Sequence, residues 1–278
     1  MISVSRRMFL KSAAAGAAAL AIGVPVIGAA AKKPLVGLQL YSVRADMGKD
    51  FEGTIAAVAK IGYKHVEFAG YFGKKAEDIR KVLDANGLVC SGTHIGLGTM
   101  KGDALKGTVD FHKTLGCNYL IVPGGIAKEG TKQAWLDAAK EFNEVAERLK
   151  ECGMCTGYHN HSHEFKPFDG GETPWEVFYS NTSPQVVHQI DTGNCLGGKG
   201  DPVAMIKKFP GRTKIAHLKE HGGPGDFGKG DTKWKDVFDA CEAVGGTEFY
   251  TVEQERYAQP PIDAVRQCFE FMKEMGKA

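Results

Sequence analysis

From residue 35 to the C-terminus, short apolar runs alternate with longer segments of helical period, and this alternation limits the fold more tightly than any other feature of the chain. The runs are Leu35–Tyr41, Tyr63–Phe68, Leu88–Ile95, Tyr119–Val122, Cys155–His159, Val186–Ile190, Lys214–Leu218 and Phe249–Val252. The helical segments are Phe51–Ile61, Ala76–Asn86, Lys101–Leu115, Lys132–Lys150, Thr173–Tyr179, Pro202–Lys208, Lys233–Val244 and Pro261–Met275. Phe142, Val145, Ala146 and Leu149 form the stripe of a core-facing helix, and Asn86-Gly87 and Leu115-Gly116 put glycine where a helix ends. Strand followed by helix argues for a parallel sheet with right-handed crossovers. Eight such units predict a closed (β/α)8 barrel, an α/β fold made of a single domain. The other candidate, an open doubly wound sheet, fits less well, because no Gly-x-Gly-x-x-Gly turn follows Leu35–Tyr41. The glycine-rich stretch 222–231 lacks the Gly-Lys-Ser/Thr ending of a phosphate loop and reads as a flexible lid.

Ahead of the first run, Ser5-Arg6-Arg7-Met8-Phe9-Leu10-Lys11 carries a twin arginine, followed by an uncharged stretch rich in Ala and Gly that ends in Ala29-Ala30-Ala31. The pattern is that of a Tat export signal spanning residues 1–31, with the barrel over 32–278. Gly16, Gly23, Pro25 and Gly28 weigh against a membrane-spanning helix. The mature chain is therefore expected to pass through the Tat machinery into the periplasm or beyond, without stable membrane insertion after cleavage. Loss of Arg6, Arg7 and Lys11 takes the formal charge from +2 to −1, which leaves no electrostatic footprint for nucleic acid. Seven scattered cysteines form no disulfide framework, and Cys152-Gly-Met-Cys155 reads as ordinary thiols rather than a redox pair or half a zinc site.

Parallel barrels carry their active sites at the carboxyl ends of the strands. On that edge lie Glu67, His94, the cluster Tyr158-His-Asn-His-Ser-His-Glu164, Asp191, Asn194, His217, Lys219, Glu253 and Glu255. His159, Asp191, His217 and Glu253 follow one another at intervals of 32, 26 and 36 residues. About 31 residues per strand-helix unit are expected in such a barrel. A lone strand histidine is more often hydrogen-bonded structure than a ligand, but imidazoles and carboxylates converging on one mouth point to a metal. Mixed nitrogen and oxygen ligation suits manganese, iron, cobalt or zinc.

Gly37-Leu-Gln-Leu-Tyr-Ser-Val-Arg44, Tyr158–Phe165, Gln189-Ile-Asp-Thr-Gly-Asn194, His217-Leu-Lys-Glu220, Gly228-Lys-Gly-Asp231 and Val252-Glu253 resemble the xylose isomerase-like TIM-barrel superfamily of sugar phosphate isomerases and epimerases. The resemblance covers essentially the whole mature chain. It implies one divalent cation, most often manganese, held from strands five to eight, and it assigns Asp191, His217 and Glu253 to three ligand positions. The family's strand-five Glu-Asn-His is here His159-Asn160-His161, so the fourth ligand is either Glu164 or His159, with Glu164 preferred because a hard cation favours oxygen.

The resemblance further implies proton abstraction next to a carbonyl on a sugar or keto-sugar. Glu253 would serve as base as well as ligand, His159 would stand where the opposing base is usually a glutamate, and Lys219 would polarise a carbonyl. Glu67, His94, His161 and Asn194 would meet substrate hydroxyls. The first reading is a sugar isomerase or epimerase. A lyase or dehydratase acting on keto-sugars or 3-keto-glycosides is the second, and a non-catalytic periplasmic carbohydrate-binding protein the third. An endonuclease acting at abasic sites, another activity of the superfamily, fits poorly with a mature chain that has no basic excess.

Overall fold

A computed structural model describes residues 33–278; the twin-arginine segment lies outside the described residues. Strands β1 (Leu35–Gln39), β2 (His65–Phe68), β3 (Val89–His94), β4 (Tyr119–Val122), β5 (Cys155–His159), β6 (Val186–Asp191), β7 (Ile215–Leu218) and β8 (Phe249–Val252) close in sequence order into a barrel. All eight pairings are parallel, and β8 returns to β1 through Leu35 opposite Phe249 and Leu38 opposite Val252.

The helices are α1 (Arg44–Lys49), α2 (Phe51–Ile61), α3 (Ala76–Ala85), α4 (Ala104–Leu115), α5 (Lys132–Glu151), α6 (Pro174–Ser180), α7 (Thr192–Gly197), α8 (Pro202–Lys208), α9 (Trp234–Ala240) and α10 (Pro261–Glu274). The stripe expected on α5 is buried from Trp135 to Leu149, and Gly116 ends α4 in the left-handed conformation at φ 75°, which glycine adopts without a Cβ penalty. Two predicted runs extend past the carboxyl ends of their strands. After β1 the chain turns into a short 3-10 helix, Leu40–Val43, held where the Gln39 carbonyl oxygen of the side chain accepts from the Tyr41 amide at 3.0 Å; after β3 it bends at Ile95 toward another, Leu97–Met100.

Most apolar side chains lie between strands and helices, while Ile121, Val187 and Ile215 form a separate small cluster. Alternate strand residues face the same side. Gln189 and Asp191 therefore share a face with Val187, and His217 shares one with Ile215. This is the interior face, and it turns polar as the strands approach their carboxyl ends. No helix among the described residues is long and apolar enough to cross a membrane, and all seven cysteines are free.

Candidate metal and sugar site

At the carboxyl ends of β5 to β8 the barrel brings together His159, Asp191, His217 and Glu253, whose potential ligand atoms all lie within 4.8 Å of one another. All four are buried. Asp191 divides its oxygens between two tasks. Its Oδ1 accepts from the Asn194 amide at 2.7 Å as the N-cap of α7, which leaves Oδ2 without a hydrogen-bond partner and 3.2 Å from the Lys219 ammonium. Nδ1 of His159 is likewise buried without a partner.

His217 stands between two carboxylates, with Nδ1 3.0 Å from Glu253 Oε2 and Nε2 2.9 Å from Glu67 Oε1. Burial alone would lower its imidazole, but Glu67 and Glu253 outweigh that and push it up to about 10. Burial likewise raises the Glu253 carboxyl, and the neighbouring His217 and Lys219 overcome this and hold it well below the usual range. Asp191 goes the other way: burial, helped by the charge of Glu253, pushes it up to about 7 despite Lys219. His159 is held well down by burial and by the imidazoles of His217 and His94. Lys219 also lies 3.4 Å from Glu253 and 2.5 Å from Glu255; burial would lower its ammonium, yet these carboxylates and Asp191 raise it.

Two of the expected roles do not match the geometry. Glu164, preferred as fourth ligand, is outside the group of four. The short turn His163–Phe165 tucks its carboxylate inward, where Oε1 accepts from the Tyr158 hydroxyl at 2.6 Å and Oε2 from the His161 amide at 2.9 Å. His159, the other candidate, is in the group of four. Glu67, expected to meet substrate, is fully buried and accepts from Gln39 at 2.7 Å and Gln189 at 2.8 Å besides facing His217. Burial would raise its carboxyl, but His217 and His94 hold it at about 2. The expected lid also differs: Glu220 accepts from the amides of His221, Gly228 and Thr232 and from the Trp234 indole, so the 222–231 segment is pinned rather than loose.

The remaining candidates, His94, His161, Asn194 and Lys219, line a cavity of about 460 Å3 above the group, together with His159, Glu253 and Glu255. Tyr41, Ile95 and Pro123 supply its apolar wall. His94 is oriented by Gln189 at 2.6 Å and Glu67 at 2.9 Å, and Asn194 by the Asn160 carbonyl at 3.1 Å. Gln39, Gln189 and Asn160 join the site without having been expected there. For Gln39 and Gln189 the signal in the sequence is a polar side chain at the end of an apolar strand.

The residues fit a divalent cation. Two imidazoles and two carboxylates form a compact, buried set of ligand atoms, and His159 Nδ1 and Asp191 Oδ2 make no hydrogen bond there. Glu67 on the far nitrogen of His217 supplies the outer-sphere carboxylate that metal-binding histidines commonly have.

A family model described as a xylose isomerase-like TIM barrel matches residues 55–275, and the chain belongs to that family. It is 25% identical to the inosose dehydratase of Geobacillus kaustophilus over 191 residues, covering 60% of this chain and 60% of that one. It is 26% identical to the 2-oxo-tetronate isomerase of Haemophilus influenzae over 228 residues, or 71% and 84% of the two chains. A crystal structure of a sugar phosphate isomerase/epimerase from Parabacteroides distasonis superposes with a TM-score of 0.77 at 26% identity, covering 90% of this chain and 96% of that one.

Proposed function

We propose that this protein is a metal-dependent enzyme that removes the proton next to a carbonyl of a sugar or keto-sugar, and that elimination of a neighbouring substituent follows. The observation that carries the reading is the composition of the group of four, in which an imidazole, His159, stands at the end of β5 where the resembled epimerases carry a glutamate. The group holds one glutamate rather than a symmetrical pair, which favours a single proton abstraction over epimerisation from two faces. Similarity to an inosose dehydratase supports the same reaction class.

His159, Asp191, His217 and Glu253 would hold the cation, with manganese the first choice. The metal would polarise the substrate oxygens and acidify the adjacent carbon. Glu253 is kept unprotonated beside His217 and Lys219 and borders the cavity, so it is placed to accept the proton. The C–H electron pair then forms a carbon–carbon double bond, the bond to the departing oxygen breaks, and the Lys219 ammonium supplies that oxygen with a proton. His94, His161 and Asn194 orient substrate hydroxyls from the cavity wall.

Isomerisation on a single face is the second reading, favoured by the likeness to a 2-oxo-tetronate isomerase and by the presence of one well-placed carboxylate base. Manganese-loaded protein incubated in deuterated water with aldoses, ketoses and 3-keto-glycosides tests both. Deuterium incorporation with an unsaturated keto product supports elimination. Incorporation into rearranged sugars alone replaces it with isomerisation, and no exchange across the panel leaves only a binding protein. The twin-arginine segment supports export to the periplasm, and cell fractionation against a periplasmic marker tests that.

A further inference from the structure

Beside the reaction cavity lies a second depression of about 400 Å3, and the two share the wall formed by His94, Ile95 and Gly96. Its floor is the half-buried pair Tyr71 and Phe111, whose ring centroids are 4.6 Å apart. The polar groups that line it already have partners within the protein. The Thr99 hydroxyl donates to the Gly96 carbonyl at 2.8 Å and the Thr108 hydroxyl to the Thr99 carbonyl at 2.6 Å. The Tyr71 hydroxyl lies 2.6 Å from Thr93 and 2.8 Å from His112, whose other ring nitrogen faces the Thr108 carbonyl at 2.6 Å. A sugar ring seated here would find few free donors for its hydroxyls, which is unfavourable, whereas a flat apolar group asks for none.

Gly107 borders the same depression from the interior of α4. Glycine at such a position costs a helix about 1 kcal/mol relative to alanine. A Cβ added there meets nothing within 4 Å, so no packing contact demands the glycine, and a side chain at this position has open space beside the depression.

Resting on the reading of the main cavity as a sugar site, we propose that this depression is an aglycone subsite: the substrate is a glycoside whose sugar ring lies over His159, Asp191, His217 and Glu253 and whose aromatic aglycone lies on Tyr71, Ile95 and Phe111. The two spaces adjoin along Ile95 and Gly96, so one molecule reaching across that edge would occupy both. In the elimination reading, the aglycone oxygen is then a natural leaving group.

Calorimetric titration of manganese-loaded protein with phenyl and methyl β-D-glucopyranoside tests the subsite. The phenyl glycoside is expected to bind at least about tenfold more tightly. Gly107→Leu, which fills the depression and favours the helix, abolishes that preference and leaves the methyl glycoside unaffected, while Gly107→Ala keeps it. Equal binding of the two glycosides, or a preference that survives Gly107→Leu, overturns the subsite and leaves the sugar reading intact. If neither glycoside binds, deuterium exchange into methyl 3-keto-glucopyranoside separates the outcomes: exchange overturns the subsite alone, and its absence removes the sugar reading together with it.

Discussion

Glu67 is fully buried, yet it sits behind His217 and His94 and receives Gln39 and Gln189 as well. Its carboxylate fixes which nitrogen of His217 faces Glu253. Glu67→Gln keeps the shape but offers His217 an amide in place of a charge, and manganese affinity measured by calorimetry is expected to fall about 10- to 100-fold while the fold persists. Unchanged affinity would show that Glu67 only fills space. Gly92 supports the same carboxylate, because a Cβ there would stand 2.8 Å from Glu67 Oε2. Glu253→Gln removes the proposed base, and solvent deuterium exchange is expected to disappear from a variant with wild-type secondary structure; retained exchange would exclude Glu253 as the base. At this scale the sequence marked strand-end carboxylates but not their directions. Alternation along β2 puts Glu67 opposite Gln39 of β1, but it does not tell that Gln39, Gln189, His94 and His217 close over the carboxylate. Glu164 was the nearest carboxylate to His159 along the chain, but the short turn after β5 directs it to Tyr158.

Elements with a clear apolar run or a helical period were legible, and single-turn helices were not. β4, β5, β8, α2 and α8 have the limits their residue patterns predict. The six-residue α1 and α7 are too short to show a stripe, and α7 exists largely because Asp191 caps it; the element and the site share one carboxylate. The glycine-rich segment after β7 misled for a related reason, since glycine content reports backbone freedom and not the tertiary partner that removes it. Here that partner is Glu220, with four donors on its two oxygens. Glu220→Gln turns one end of the side chain into a donor facing other donors. Each buried donor left unpaired costs about 1–3 kcal/mol. Amide exchange at Gly228 and Thr232 is therefore expected to accelerate by at least about tenfold, with the amides of β1 to β4 unchanged; an unaltered exchange pattern would mean that the segment is held by its own turns.

Across the whole molecule, the closed barrel was predictable because eight repeats of one pattern leave few alternatives, whereas the balance of charge inside its mouth depends on distances that no linear spacing encodes. That balance sets a pH dependence. Without metal, His217 binds its proton up to about 10 rather than 6.5, and Asp191 up to about 7 rather than 3.8. Both folded values are raised, so the stability these groups contribute is fully present below their ordinary values and is lost as pH rises, through about 7 for Asp191 and about 10 for His217. Glu67 has the opposite sign: its value falls from 4.5 to about 2, so its contribution is present above 4.5 and is lost on acidification through 2. A cation needs His217 neutral and Asp191 ionised, and it competes with those protons. Metal binding is thus expected to release protons near neutral pH and to tighten as pH rises from 6 toward 9. A ligand at about 100 times its Kd stabilises a fold by about 2.7 kcal/mol. At fixed total manganese, the gap in melting temperature between metal-loaded and chelator-treated protein should widen over this range. A gap that stays constant or narrows would mean that His217 and Asp191 do not give up protons to the metal, and the ligand set of β5 to β8 would have to be redrawn.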